Sequence, residues 1–265
     1  MIRDASPADL AALRDFLVRA NDAPYDIGPV AAEKCFGAGY AGTPRTRIFE
    51  EAGGIRGVAV TCGHALRILA VDRDHRRLRI GSALLRDAGS KVRVVFAEAG
   101  NYFTPGIVEQ DEGTRAFFRH HEFLETRWTH NLEARDLPSE IPSTVQRPTE
   151  RERFLEFVQR EFGTIWRFEA ARAFDTEAPA AFWIPDAGFT VHDVNNRGLG
   201  TFGPTGVARS QRGKGIGTQL LLASLADLRR MGHPRAIIPW TDAVEFYRKA
   251  CGAVVTHRFV TMSRA

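Results

Sequence analysis

Apolar positions recur along this chain with two periods. Spacings of three and four residues mark helices, and alternation or short continuous apolar runs mark strands. Met1 to Asp4 reads as a short strand. Leu10, Leu13, Phe16 and Leu17 share one helical face, which predicts a helix from Pro7 to Ala20 capped by Ser6. Arg45 to Glu51 and Ile55 to Cys62 read as strands joined at Gly53-Gly54, a hairpin signal. Leu66 to Val71 is an apolar strand, Ile80 to Ala88 a helix, Val92 to Ala97 a buried strand, Gly113 to His121 a helix and Glu125 to Glu133 a closing strand.

The same order then recurs. Thr144 to Arg147 is expected to be a strand, and Thr149 to Phe162 a helix opening on the capping box T-E-R-E. Strands are expected at Ala180 to Ile184 and Phe189 to Val194, around the turn Pro185-Asp186-Ala187-Gly188. Phe202 to Val207 is a strand, and Gly217 to Met231 is a helix with Leu221, Leu225 and Leu228 on one face. Gly232 and Pro234 end it. A buried strand at Ala236 to Ile238, a helix at Asp242 to Ala250 and a strand at Val254 to Met262 close the chain. Strands mixed with helices in this order predict an α/β or α+β sheet with helices on both faces.

The recurrence is literal at one place. Val71 to Leu85 reads V-D-R-D-H-R-R-L-R-I-G-S-A-L-L, and Val207 to Leu221 reads V-A-R-S-Q-R-G-K-G-I-G-T-Q-L-L. Arg76 matches Arg212, Ile80 matches Ile216, Gly81 matches Gly217, and Ser82 faces Thr218, all at a constant offset of 136 residues. A strand end, a basic loop and the start of an apolar helix make a phosphate cradle, because amides at a helix start point outward toward an anion. In the second copy Arg212, Gly213, Lys214, Gly215, Ile216, Gly217 and Thr218 carry it. Their spacing is neither that of a P-loop nor G-x-G-x-x-G. Two copies imply two domains. The polar, proline-bearing stretch R-D-L-P-S-E-I-P-S at 135 to 143 divides them into 1–135 and 143–265.

Composition narrows the partners. The chain is 44% hydrophobic and 26% charged, as in an ordinary globular protein, and its formal charge is +4. That excess fits an anionic ligand without arguing for nucleic acid, and no strand carries the aromatic-plus-basic pattern of an RNA binder. Three cysteines without a C-x-x-C spacing predict neither a disulfide framework nor a zinc site, and no metal is expected. The N-terminus M-I-R-D-A-S-P-A-D-L has no apolar h-region, and no run reaches the ~18 apolar residues of a membrane span, so no membrane association and a cytoplasmic location are expected.

The second loop resembles motif A of the GNAT superfamily of N-acetyltransferases, [QR]-x-x-G-x-[GA], with Arg212, Gly215 and Gly217 in its three positions. Downstream, Glu245-Phe246-Tyr247-Arg248-Lys249-Ala250-Cys251-Gly252 resembles the family's F-Y-x-x-x-G element, with Cys251 where the glycine is expected and Gly252 one residue late. The resemblance implies two tandem GNAT-like domains, each a mixed, mostly antiparallel, splayed sheet flanked by helices. It implies acetyl-CoA as cosubstrate, with its pyrophosphate on the loop and its pantetheine arm beside Gly206 and Val207. It implies that Tyr247 protonates the departing thiolate, a step open to a positioned phenol. Trp240 stands where the family often has Asn, and it either lines the acceptor pocket or packs at a strand end.

The first copy departs from this pattern. Arg79 replaces the middle glycine, Phe118 stands opposite Tyr247, and Glu122 takes the place of the later glycine. The first domain therefore reads as a degenerate, inactive copy. A second and weaker cofactor site at Val71, Arg76, Arg77, Ile80, Gly81 and Ser82 stays open, as do completion of the acceptor pocket and a homodimer contact. His120 and His121 read as helix-surface residues. The loop Gly100-Asn101-Tyr102-Phe103-Thr104-Pro105-Gly106 either faces a ligand or packs between the domains.

The expected activity is acetyl transfer from acetyl-CoA to the amine of a small molecule or protein, in the second domain. The alternatives are a non-catalytic CoA-binding or regulatory module and a domain that binds protein or nucleic acid through its basic surface. His192, Asp193, Asp242 and Glu245 are the carboxylates and imidazole near the expected site, and none is assigned as the base.

Overall fold

The computed structural model describes residues 1–51 and 53–265. Along the chain run β1 (Ile2–Asp4), α1 (Leu10–Ala20), α2 (Ala31–Phe36), β2 (Arg45–Glu51), β3 (Gly54–Cys62), β4 (Ala65–Val71), α3 (Ile80–Ala88), β5 (Val94–Val95), β6 (Ile107–Val108), α4 (Glu112–His120) and β7 (Leu124–Ala134). There follow α5 (Arg151–Phe162), α6 (Thr164–Ala171), β8 (Ala181–Ile184), β9 (Gly188–His192), β10 (Phe202–Val207), α7 (Ile216–Arg230), β11 (Ala236–Thr241), α8 (Val244–Cys251) and β12 (Val254–Ser263).

These elements form two compact units, residues 1–129 with 258–265, and residues 130–257. The expected division at 135 to 143 therefore falls inside the second unit. Leu137 explains why that stretch is no linker: it is buried against Leu225 and Leu228, and its carbonyl accepts from Arg229 at 2.7 Å. The chain passes between units inside β7 and again inside β12, so its last eight residues belong to the first unit.

In the first unit β1, β2, β3 and β4 run as an antiparallel meander. Gly53 and Gly54, at φ +97° and +120°, make the hairpin that the sequence signals. Ser6 and Asp9 close a capping box at the first helical turn. Strand β4 then pairs in parallel with β5, but only at Ala65–Val94 and Leu66–Val95. Phe96, at φ +63°, ends β5 after two residues, well short of the Val92 to Ala97 strand expected. The C-terminal half of β12 pairs antiparallel with β5 and β6. Leu84 and Leu85 of α3, Phe118 of α4, and Val260 and Met262 of β12 build the core.

The second unit repeats the plan. Strands β8, β9 and β10 form an antiparallel sheet. Strand β10 approaches the parallel β11 only at a bridge from Thr201 to Ile237. Strand β11 pairs antiparallel with the end of β7, Ala236 opposite Ala134. Thr201 lies 136 residues after Ala65, so both sheets begin to splay at the same position of the repeat. Helices α5 and α7 bury Phe154, Phe157, Leu220 and Leu221 against this sheet.

Three local expectations differ. Residues 144–147 form a single bridge, Gln146 to Trp183, because Pro148 follows and the Arg147 side chain turns to Asp227. Helix α5 starts at Arg151 without the T-E-R-E cap. Helices α2 and α6 carry too few turns to show a periodic face. Cys35 and Cys62 are buried thiols and Cys251 is half-buried; all three are free.

Candidate active site

The second cradle is a continuous turn. After β10 the chain makes a 3-10 turn at Arg209–Gln211, crosses Arg212 to Gly215 and enters α7 at Ile216. Gly213 and Gly215 sit at φ +81° and +76°. A Cβ at either would meet nothing within 4 Å, so the left-handed backbone, and not crowding, selects glycine here. Among the described residues no carbonyl accepts from the amides of Gly213, Lys214, Gly215, Ile216 or Gly217. The first internal bond at this end runs from the Thr218 amide to Gly215 at 3.1 Å. Free amides at the positive end of a fifteen-residue helix favour an anion. Arg212 Nε donates to the Val207 carbonyl at 3.3 Å, and Lys214 Nζ to Gln211 at 2.8 Å, which draws both cations to the loop.

Gly206 and Val207 pair with Phe189 and Gly188 on β9. A Cβ on Gly206 would lie 2.5 Å from the Phe162 ring, so close packing demands this glycine whatever its backbone edge binds. Phe162 stacks in turn on Trp166 of α6.

Tyr247 lies where β10 and β11 diverge. Its ring packs edge-on against Phe202 of β10 at 5.9 Å, and its hydroxyl bonds Thr241 at the end of β11. It is 7% exposed. Burial, and then Cys251, push its pKa up to about 12, against a smaller opposing effect of the Thr241 bond. The proton is therefore firmly held. Cys251 is the last helical residue and Gly252 takes the left-handed cap at φ +66°, which is why the glycine falls one position late.

Two of the candidate bases have structural work instead. His192 is fully buried, with Nε2 2.9 Å from Asp227 Oδ2, and Arg147 bonds the other oxygen at 2.5 Å. Burial raises the Asp227 pKa, but the bonds from His192 and Arg147 outweigh it and hold the carboxyl below the usual range. Asp193 accepts from the amides of Gly198 and Gly200, closing a buried loop. Glu245 is exposed and paired with Arg248. Trp240, at φ +51°, donates its amide to Asn131 at 2.9 Å.

The first unit preserves the cradle more fully than its sequence implies. Arg77 and Arg79 stand at φ +64° and +62°, the left-handed conformations of Gly213 and Gly215. Arg76 Nε donates to the Val71 carbonyl at 3.3 Å, the same bond and distance as Arg212 to Val207. A cavity of about 740 Å³ opens at this loop, and Val71, Arg76, Arg77, Ile80, Gly81 and Ser82 all line it. Phe103 and Thr104 line it too, so the Gly100 to Gly106 loop faces this cavity. Phe118 fills the Tyr247 position and carries no phenol. Sequence reading missed the contact from Ser82 Oγ to His121 Nε2 at 2.9 Å, because the two residues are 39 apart. Burial, with His120, Arg264 and Arg86 nearby, lowers the His121 pKa.

In the second unit, then, a strand pair splays beside a glycine-rich helix start, and Tyr247 lies in the gap. Residues 151–253 match the sequence model of the acetyltransferase (GNAT) family. The second unit thus carries a GNAT domain, and the chain is a tandem protein of GNAT fold. Among solved structures, a GCN5-related glucosamine N-acetyltransferase region in a fungal multi-domain GH3 β-N-acetylglucosaminidase is similar over 99% of the chain at 16% identity and TM-score 0.78. The chain spans 38% of that protein's length. A GCN5-related N-acetyltransferase from Sphaerobacter thermophilus is similar at 18% identity and TM-score 0.69, over 99% of this chain and 94% of that one. A tandem GNAT protein from the clavulanic acid biosynthesis pathway follows at 17% and 0.68, over 99% and 97%. Curated protein sequences give no match.

Proposed function

We propose that this protein is an N-acetyltransferase whose second unit moves an acetyl group from acetyl-CoA to an amine. The observation that carries this reading is the turn from Arg212 to Thr218, with two left-handed glycines under open space and five amides that no carbonyl takes. Those amides fit a pyrophosphate, and Arg212 and Lys214 add the charge to hold it. Gly206 and Val207 lie on the β10 edge that faces the splay, where an extended arm can take backbone hydrogen bonds. Acetyl-CoA supplies the activated acetyl group as a thioester. Tyr247, whose proton burial retains far above neutral pH, donates to the leaving sulfur, and Thr241 holds the hydroxyl in place. The amine must arrive neutral or lose its proton to water.

Thiol release should be followed with acetyl-CoA and a panel of amino sugars, polyamines, simple amines and lysine peptides. Glucosamine belongs in it because the fungal region is named for it. Turnover is expected with at least one acceptor. Tyr247→Phe should lower kcat by about 10²-fold with little change in the KM for acetyl-CoA, the usual scale of a lost general acid. Gly215→Val should instead weaken acetyl-CoA binding, since a β-branched residue resists φ near +76°. Binding of acetyl-CoA with no thiol release on any amine would favour a sensing module.

A further inference from the structure

Independently of the transfer proposed for the second unit, we infer that a pocket at the C-terminal end of α3 in the first unit binds a dianionic phosphate group through Arg86, Arg93 and Arg264. The pocket has a volume of about 390 Å³, within the range of small-molecule sites. Ser90, His121 and Glu122 complete its polar lining. It shares no residue with the cavity at the Arg76 to Ser82 loop. Helix α3 begins at that loop and runs nine residues, about 13 Å, before it ends at Ala88. The pocket lies at this other end, against Gly89 and Ser90.

The charges that face it are unbalanced. Arg86 and Arg93 are exposed, and their guanidinium groups make neither a hydrogen bond nor an ion pair among the described residues. Arg264 is half-buried and held in place. Its Nε donates to the Val92 carbonyl at 2.9 Å, its Nη2 to the Gly89 carbonyl at 3.4 Å, and its guanidinium lies 4.6 Å over the Phe123 ring. The acids nearby are used elsewhere: Asp87 pairs with Arg47, and Glu125 with Arg115 and Arg119. Among the described lining side chains Glu122 is the one acid. Three guanidiniums against one carboxylate leave two positive charges, which a phosphate monoanion or dianion near neutral pH offsets. A basic residue can also serve to satisfy carbonyls at a helix end. Arg264 does so at Gly89, but Arg86 and Arg93 bond no carbonyl, so that role does not account for them.

His121 registers the same positive field. Its Nε2 lies 2.9 Å from Ser82 Oγ, and its ring lies 4.7 Å from that of Phe117. Burial first, and then His120, Arg264 and Arg86, hold its pKa below the usual imidazole range. Two of those neighbours are arginines of the pocket. An anion seated among them makes the imidazolium easier to form.

The test is titration of the full chain with inorganic phosphate and with ribose 5-phosphate at constant ionic strength, read by calorimetry and by the His121 Cε1–H resonance. Binding is expected, with a rise in the His121 pKa. Tighter binding of the ester points to a phosphorylated metabolite as the ligand, and equal binding points to free phosphate. Arg86→Gln with Arg93→Gln should weaken binding by at least about 10-fold, the scale of lost hydrogen bonds to a charged group, and should remove the phosphate-dependent rise at His121. Neither side chain bonds anything, so the fold should stand, and Arg93→Glu alone supplies a second variant with the same direction. Arg77→Gln with Arg79→Gln, at the loop, should leave the affinity within about two-fold, as for a separate site. Unchanged affinity in the Arg86 and Arg93 variants, loss in the Arg77 and Arg79 variant, or equal binding of acetate at the same ionic strength overturns the inference. Acetyl transfer is read from thiol release, so the two proposals fail separately.

Discussion

Asp227 shows how one carboxylate organises the inside of the second unit. It accepts from His192 and from Arg147, whose guanidinium also lies 4.6 Å over the Phe182 ring. Asp227→Asn removes the charge from a buried network and should destabilise the unit by about 2–4 kcal/mol in denaturant unfolding. The pH dependence has a definite sign. The folded pKa of Asp227 is depressed, so its stabilisation is complete above the ordinary aspartate value of ~3.9 and is lost as pH falls toward the folded value. The variant's unfolding free energy should therefore converge on that of wild type below about pH 4. Gly206 makes a second point at this scale. Gly206→Ala forces the Phe162 ring to move and should destabilise by about 1–3 kcal/mol, the scale of overpacking. Phe162→Leu in the same chain should recover part of that loss. Gly206 looked different in sequence, where it stood beside the expected pantetheine arm, and the helical pattern of Gly217 to Met231 does not mark Asp227 as buried.

At the scale of elements, the decisive feature is the short parallel pairing that opens into a splay. In each unit it starts at the same repeat position, Ala65 and Thr201. The strands and helices that flank it were legible because their apolar spacing is strong: α3 begins and ends at the expected residues, and β10 does the same. The weakly patterned pieces were not. Strand β5 is cut short by a left-handed phenylalanine, and nothing in the run V-R-V-V-F-A announces it. Of the site, the glycine turn and Tyr247 could be read from motifs. The Ser82–His121 contact could not, since its side chains meet across the fold, and neither could the Asp193 loop, where a carboxylate closes on the backbone amides of Gly198 and Gly200. Helix α8 adds a prediction: Gly252 holds the left-handed cap, and Gly252→Ala should destabilise by about 1 kcal/mol in thermal or chemical unfolding.

At the scale of the molecule, the chain is a tandem repeat whose units differ from the halves its composition suggests. Residues 258–265 complete the first unit, where Phe259, Val260 and Met262 are buried. Deleting them should expose β5 and β6 and destabilise the first unit by several kcal/mol, on the scale of lost core side chains. Hydrogen exchange should show the loss in β4, β5 and β6 before it reaches β8 and β9; uniform loss in both units would contradict the assignment. Among the described residues no helix is long and apolar enough to cross a membrane.

The sequence alone determined the repeat, the class of sheet and the left-handed glycine turn of the second loop, because these rest on local periodicity and on residue types with special backbone freedom. Only the tertiary structure decided the rest. It put left-handed arginines where glycines were lost, and it opened a large cavity at the copy that reads as eroded. It also carried the last strand back to the first unit. A loop's conformation is set by the strand and helix that anchor it, so it can outlast its own sequence signature. A cavity belongs to residues far apart in the chain, and no linear pattern records it.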